Sequence, residues 1–130
     1  MVWVEIFAVF VVSHLVGDYL LQTDWQARHK RGGLTGDPVR ARALFAHVTT
    51  YTLTFVPAFV WMYDEIGLGV LAVAAGVFVP HLIQDDGRLL SWFVYRVKGC
   101  DDLTAPEVFK PVDQTFHLLV LFAIAVAAGA

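Results

Sequence analysis

Four long apolar stretches dominate the chain and restrict what it can fold into. They run roughly over Val2–Leu21, Ala41–Met62, Ile66–Ile83 and Pro111–Ala128. A helix needs about 20 mostly apolar residues to cross a bilayer, and each stretch is close to that length. Of the 130 residues, 58% are hydrophobic and 16% are charged, whereas soluble domains are about one quarter charged. The sequence therefore predicts an all-α fold, a four-helix transmembrane bundle, in a single domain over residues 1–130.

The basic residues predict the orientation of these spans. All nine lie in, or at the edge of, the connection between spans one and two or that between spans three and four, as Arg28, Lys30, Arg31, Arg40, Arg42, Arg88, Arg96, Lys98 and Lys110. The connection between spans two and three carries only Asp64 and Glu65. Short loops rich in Lys and Arg stay in the cytoplasm. Both termini are therefore expected on the outer side of the cytoplasmic membrane.

The connection after the third span contains a further predicted helix. Its segment Arg88–Arg96 mixes aromatic and aliphatic residues with flanking cations. This pattern favours an amphipathic helix that lies in the inner membrane surface, and the alternative is a longer, tilted third span. Cys100 is the single cysteine, which excludes an intrachain disulfide and a cysteine-cluster metal site.

Histidine and aspartate recur four residues apart inside the apolar stretches. The pairs are His14/Asp18, His81/Asp85 and Asp113/His117, and the remaining span carries His47. Residues at this spacing share one face of a helix. Ionisable groups inside spans are costly and usually face a bundle interior, where they have partners. With the orientation predicted above, all seven groups fall in the cytoplasmic half of the membrane, where they form one pocket.

Four imidazoles and three carboxylates indicate a metal site without thiolate ligands. The set exceeds the needs of one tetrahedral zinc and suits two metals bridged by a carboxylate or by water. Zinc is the first choice, with iron or manganese as alternatives. Two alternatives to such a metal site remain: a metal-free hydrogen-bond network, and a haem held by pairs of histidines. Asp86 competes with Asp85 for the inward position, and Asp113 alternatively caps the fourth helix.

Three polar residues near this set are candidates for contacts with a substrate. Gln22 lies one turn beyond Asp18, Gln114 adjoins Asp113, and Arg88 lies close to Asp85 in the chain. Arg88 alternatively binds a lipid phosphate, because its guanidinium fork matches that group.

The polar residues also carry a resemblance to a known family. The segment from His14 to Trp25 (HLVGDYLLQTDW) resembles the opening of a family of small prokaryotic membrane proteins of unknown function, domain-of-unknown-function family three-three-zero-seven. His47, the pair His81/Asp85 and the segment Asp113–His117 fall where the pattern of that family places them. The resemblance implies a polytopic protein of a prokaryotic membrane and no established activity. More loosely, the chain is similar to small membrane-bound metal-dependent hydrolases.

These observations favour a metal-dependent membrane hydrolase that acts on a lipid-like or phosphorylated substrate at the cytoplasmic leaflet. A bound metal lowers the pKa of water to about 7 and polarises a phosphoryl or acyl oxygen. The alternatives are a component for metal-ion or proton transport and a non-catalytic subunit of a larger complex. Membrane lipids and a second copy of the chain are the expected partners, and nucleic acid is not.

Overall fold

The chain folds into helices joined by short connections. The computed structural model describes all 130 residues and contains no β-strand. Its helices are α1 (Trp3–Leu15), α2 (Asp24–His29), α3 (Pro38–Leu53), α4 (Val56–Ile66), α5 (Val70–Asp86), α6 (Arg88–Arg96) and α7 (Pro106–Ala128). A π-helical turn, Val16–Leu20, continues α1, and a 3₁₀ turn, Gly67–Gly69, connects α4 to α5. The predicted all-α fold is confirmed.

The long helices run in alternating directions between two ends of the molecule. At one end the amino group of Met1 contacts Glu65 Oε2 at 2.6 Å, and Gly129 packs against the backbone of Trp3. At the other end the last turn of α1 meets the early part of α7, where His14 Nε2 lies 2.8 Å from Gln114 Oε1. Both termini thus lie at one end, and the basic connections lie at the other.

Three helical stretches are long and apolar enough to cross a membrane. They are Trp3–Leu20, Val56–Asp86 and Pro106–Ala128. The middle stretch includes the turn at Gly67, where a φ of +53° ends α4 before α5 begins. This conformation is easy for glycine because it has no Cβ.

The predicted second span, Ala41–Met62, is not one continuous helix. It is divided into α3 and α4 at Thr54–Phe55. Pro57, in the first turn of α4, has no amide hydrogen for a continuous helix. The Thr54 hydroxyl also donates to the carbonyls of Tyr51 and Ser13, at 2.6 and 2.9 Å, and so offers the backbone another set of hydrogen bonds.

The apolar core lies on the side of the molecule where the termini meet. Its largest buried side chains are Ile6, Phe10, Phe55, Met62 and Leu121, which come from α1, α4, α7 and the α3–α4 junction. Tyr51 from α3 also belongs to this cluster and forms its boundary with the polar end. The core therefore fixes the long helices relative to one another and places their polar ends together.

The segment Arg88–Arg96 forms the separate helix α6. Gly87, with a φ of +80°, ends α5, so the alternative of a longer third span is wrong. One face of α6 packs on Phe109 of α7 through Leu90 and Val94. Leu89, Trp92 and Tyr95 are exposed on the other side of this helix.

Candidate metal centre

Buried histidine and aspartate side chains from four segments meet at the polar end of the molecule. Asp18 comes from the π-helical turn after α1, His47 from α3, His81 and Asp85 from α5, and His117 from α7. All of these side chains are buried. Gly87 ends α5 just beyond Asp85, and the π-helical turn, which itself packs against α3, carries Asp18.

Asp18, His47, His81 and Asp85 form a compact group. The Nε2 atoms of His47 and His81 lie 3.2 Å apart. Asp85 Oδ2 lies 2.9 Å from the first of these nitrogens and 3.1 Å from the second. Asp18 Oδ1 lies 3.2 and 3.5 Å from the same two nitrogens. The four ligand atoms are therefore close enough to hold one metal ion.

Asp85 also belongs to a second group. Its Oδ1 atom lies 3.2 Å from His117 Nε2, and with Asp113 these residues offer ligand atoms within 4.8 Å of one another. The two oxygens of the Asp85 carboxylate thus face two different sets of ligands. This arrangement suits a carboxylate that bridges two metal ions.

The hydrogen bonding of the ring nitrogens differs among these histidines. His117 Nδ1 donates to the backbone carbonyl of Asp113 at 2.8 Å, which leaves Nε2 directed at Asp85. Metal-binding histidines commonly use their second nitrogen in this way. The Nδ1 atoms of His47 and His81 have no protein partner.

Two buried atoms of the cluster have short contacts but no hydrogen bond. Asp18 Oδ1 and His117 Nε2 lie within 3.2 Å of another cluster residue, yet neither has a hydrogen-bond partner of acceptable geometry. Buried polar atoms in proteins are nearly always hydrogen-bonded, so each exception needs an explanation. A cation bound between Asp18 Oδ1 and His117 Nε2 and their neighbours would explain why these two atoms have no hydrogen bond.

The structure places His14 beside the cluster, with both ring nitrogens occupied. Its Nδ1 atom lies 3.0 Å from the Tyr51 hydroxyl, and its Nε2 atom lies 2.8 Å from Gln114 Oε1. The Asp18 carboxylate is 3.7 Å from His14 Nδ1. His14 is thus brought to the pocket, but in this arrangement it is held by hydrogen bonds to its neighbours.

Tyr51 closes the cluster on its apolar side. Its ring stacks on the imidazole of His81 with 3.5 Å between centroids and 15° between planes. Gly17 makes room for this ring, because a Cβ at that position would lie 2.6 Å from Tyr51 Cδ2. The stack fixes the orientation of the His81 imidazole.

The sequence did not indicate the lysine that enters the cluster. Lys30 Nζ contacts Asp85 Oδ2 at 2.8 Å, and 15% of this side chain is exposed. In the sequence, Lys30 served only as one of the basic residues that predict the orientation. It lies in a polar connection, where no helical spacing relates it to the histidines and aspartates. No sequence pattern distinguishes it from its neighbours Arg28 and Arg31.

The alternatives for the two C-terminal aspartates of α5 are resolved by the structure. Asp85 faces the histidines, whereas Asp86 accepts from the amide of Leu34 at 2.8 Å and from Arg88 Nε at 2.6 Å. Asp113 does not cap the fourth long helix, because α7 begins at Pro106. Asp113 is more exposed than the other acids of the cluster, at 22% of its side chain.

The three candidate substrate residues lie in different surroundings. Gln114 contacts His14 and also donates to Asp113 Oδ2 at 3.2 Å. Gln22 makes one long hydrogen bond, 3.4 Å, to the carbonyl of Asp18, and its Oε1 atom has no partner. The side chain of Arg88 is directed to Asp86 on the far side of α5, away from the histidines.

These features define an all-helical protein with three stretches long and apolar enough to span a membrane and with a buried His/Asp cluster that could hold a metal ion. The chain belongs to the family described as "Protein of unknown function (DUF3307)", whose model matches residues 6–129. The family resemblance predicted from the sequence is thereby confirmed. No curated protein and no solved structure matches the chain.

Proposed function

We propose that this chain is a membrane-embedded metal-binding protein that hydrolyses a lipid-like or phosphorylated substrate at the cytoplasmic leaflet. The observation that carries the proposal is the buried group of Asp18, His47, His81 and Asp85. Ligand atoms about 2.0–2.1 Å from a tetrahedral ion lie about 3.3 Å from one another. Five of the six separations within this group lie between 2.9 and 3.5 Å and bracket that value.

The second group extends the proposal to two metals. Asp85 would bridge them, and His117 with Asp113 would complete the second position. His14 and Gln114 would orient these ligands through their hydrogen bonds. Nitrogen and oxygen donors without thiolate favour zinc, with iron or manganese as alternatives.

Access to the cluster supports a substrate with an apolar part. A cavity of about 270 Å³ reaches Asp113 between α5, α6 and α7. Most of its lining is apolar, and Leu89, Trp92 and Phe116 are part of it. A metal at the cluster would polarise a phosphoryl or acyl oxygen and activate water, so no serine or cysteine nucleophile is required.

We further propose that four spans cross a prokaryotic cytoplasmic membrane, with α3 and α4 together forming the second. Large apolar side chains such as Val12, Leu71, Val79 and Leu119 are exposed along the long helices, as contact with lipid requires. The basic connections lie at the cluster end and would face the cytoplasm. Helix α6 would lie in the inner membrane surface, and a second copy of the chain is the proposed protein partner.

Metal analysis of the protein purified in detergent tests the metal site. We expect roughly one to two transition-metal ions per chain. His81→Ala should lose most of this metal, whereas the matched control His29→Ala should retain it. His29 is exposed, and its ring bonds only the carbonyl of Trp25. Wild-type protein without bound metal after growth in metal-supplemented medium would favour a hydrogen-bond network instead.

Hydrolysis and transport need separate measurements. Release of headgroup or phosphate from short-chain phospholipids by the metal-loaded protein would support hydrolysis. Uptake of metal into proteoliposomes would support transport, although Phe10, Phe55 and Met62 fill the interior beyond the cluster. Stoichiometric metal with neither activity would favour a non-catalytic subunit.

A further inference from the structure

A separate cavity with a polar lining lies on the side of α5 that faces away from the histidines. It has a volume of about 330 Å³, and none of its lining residues is hydrophobic. Its side chains come from the connection between α2 and α3, from α3, from the end of α5 and from the start of α6. They include Arg31, Arg40, Arg88, Asp86, Thr35 and Ser91. We call it the arginine pocket.

The arginine pocket has an excess of positive charge. Three arginines line it, Arg31, Arg40 and Arg88, and its lining contains one carboxylate, that of Asp86. Asp86 is buried, and its two oxygens are taken by Arg88 Nε and by the amide of Leu34. Arg31 forms no salt bridge and instead lies over the ring of Phe109 at 3.7 Å. The closest carboxylate to Arg40 is that of Asp37, at 3.9 Å, and both side chains are about half exposed.

Two glycines shape this cavity. Gly32 and Gly87 have φ values of +76° and +80°, which favour glycine. A Cβ on Gly32 would lie 2.9 Å from Arg40 Nη1, and one on Gly87 would lie 3.2 Å from Arg31 Cγ. The two arginines therefore pack directly on the backbone beside the cavity.

The start of α6 adds hydrogen-bond donors to the same cavity. This helix has nine residues, and no side chain caps its N-terminus, which follows Gly87 at the edge of the pocket. Free amides at a helix N-terminus attract anions. The hydroxyl of Ser91, one turn later, forms no hydrogen bond to another residue and also lines the pocket.

We propose that the arginine pocket binds a phosphate group, carried by an anionic lipid headgroup or present as free phosphate. Arginine forks match the oxygens of phosphate and form charge-assisted hydrogen bonds with them. A lipid source is favoured because Leu89, Trp92 and Tyr95 expose an apolar surface on the helix that begins at the pocket. The site is separate from the metal centre, since Asp86 and not Asp85 faces it.

The test uses the full-length protein in detergent with an equimolar mixture of short-chain phosphatidylglycerol and phosphatidylcholine. Native mass spectrometry should show preferential binding of phosphatidylglycerol to the wild-type protein. Arg40→Gln should weaken this binding roughly tenfold or more, because a hydrogen bond to a charged group is lost. Arg42→Gln removes the same charge from the same helix outside the pocket and should leave binding unchanged.

A second variant and a second ligand complete the design. Ser91→Asp places a carboxylate in the pocket and should abolish binding while the protein remains folded. Sodium phosphate is compared with sodium chloride at equal ionic strength by thermal unfolding. A rise in unfolding temperature that Arg40→Gln removes, without preference for phosphatidylglycerol, would identify free phosphate as the ligand.

Chelator-treated protein should bind these ligands as well as the untreated protein does, which separates this proposal from the metal site. Equal losses in Arg40→Gln and Arg42→Gln would overturn the proposal, and so would the absence of binding to both ligands.

Discussion

At the scale of single residues, Asp85 and Asp86 show how neighbours on one helix acquire different tasks. Successive residues of an α-helix point about 100° apart, so only one of two adjacent side chains can face a given neighbour. Asp85 faces the histidines of α3, α5 and α7, whereas Asp86 faces the connection before α3. The carboxylate of Asp85 therefore belongs to the candidate metal centre, whereas that of Asp86 holds the connection before α3.

Asparagine at each of these positions should separate the two tasks. Asp85→Asn removes the charge that faces two sets of ligands and leaves the Lys30 ammonium without its partner, so bound metal should fall far below that of the wild type. Asp86→Asn keeps an acceptor for Leu34 and weakens only the pair with the exposed Arg88, so it should cost about 1 kcal/mol of stability and retain the metal. Metal analysis and thermal unfolding of both variants check this. Equal metal loss in the two variants would contradict the assignment of Asp85 as a ligand.

Residue identity in the candidate site was predictable where helical spacing carried the signal. The pairs four residues apart and His47 were selected because ionisable groups in apolar helices need partners. Lys30 could not be recognised in this way, because it lies in a polar connection, where a lysine is common and needs no partner. The choice between Asp85 and Asp86 depends on the rotation of α5 against its neighbours, which spacing alone does not give.

At the scale of secondary structure, the π-helical turn Val16–Leu20 connects the end of α1 to the candidate metal centre. Such turns are rare and frequently occur at functional sites. The turn buries Gly17 and Asp18. The backbone at Gly17 touches the ring of Tyr51, which in turn stacks on His81. One tight contact between two elements thus sets the positions of two cluster residues.

Gly17→Ala should therefore damage both stability and metal binding. Its Cβ would meet Tyr51 Cδ2 at 2.6 Å and Tyr51 Cα at 3.2 Å, and overpacking of this kind costs about 1–3 kcal/mol. Gly76→Ala is the matched control, because its Cβ would lie 3.4 Å from the end of the Ile124 side chain. Thermal unfolding in detergent should show a loss for the first variant and almost none for the second. Unchanged metal content in Gly17→Ala would argue against this coupling.

The same scale shows where hydropathy stops being informative. Apolar runs predict helices well, since a helix in lipid must satisfy its own backbone. The interruption at Thr54–Phe55 was missed because threonine and phenylalanine do not interrupt an apolar run. The break has a tertiary cause, the hydrogen bond from the Thr54 hydroxyl to the Ser13 carbonyl of α1, and a local cause, Pro57.

At the scale of the whole molecule, charge is distributed along the axis of the helices. The buried acids and histidines and the arginine pocket all lie at one end, together with the connections that carry the lysines and arginines. The opposite end carries the last turn of α4, with Asp64 and Glu65, and the 3₁₀ turn that leads to α5. This asymmetry is what a fixed orientation in a membrane requires, because basic connections remain in the cytoplasm.

The single cysteine allows this orientation to be measured without removing another thiol. Cys100 lies in the connection between α6 and α7, is partly exposed and donates weakly to the carbonyl of Asp102 at 3.3 Å. We expect a membrane-impermeant maleimide to label it in inverted vesicles and not in intact cells, since the basic connections should be cytoplasmic. A Cys100→Ser/Leu68→Cys variant is the control, because Leu68 is 73% exposed in the turn at the opposite end. Its cysteine should be labelled from outside, and labelling of Cys100 in intact cells would place the metal centre at the outer leaflet.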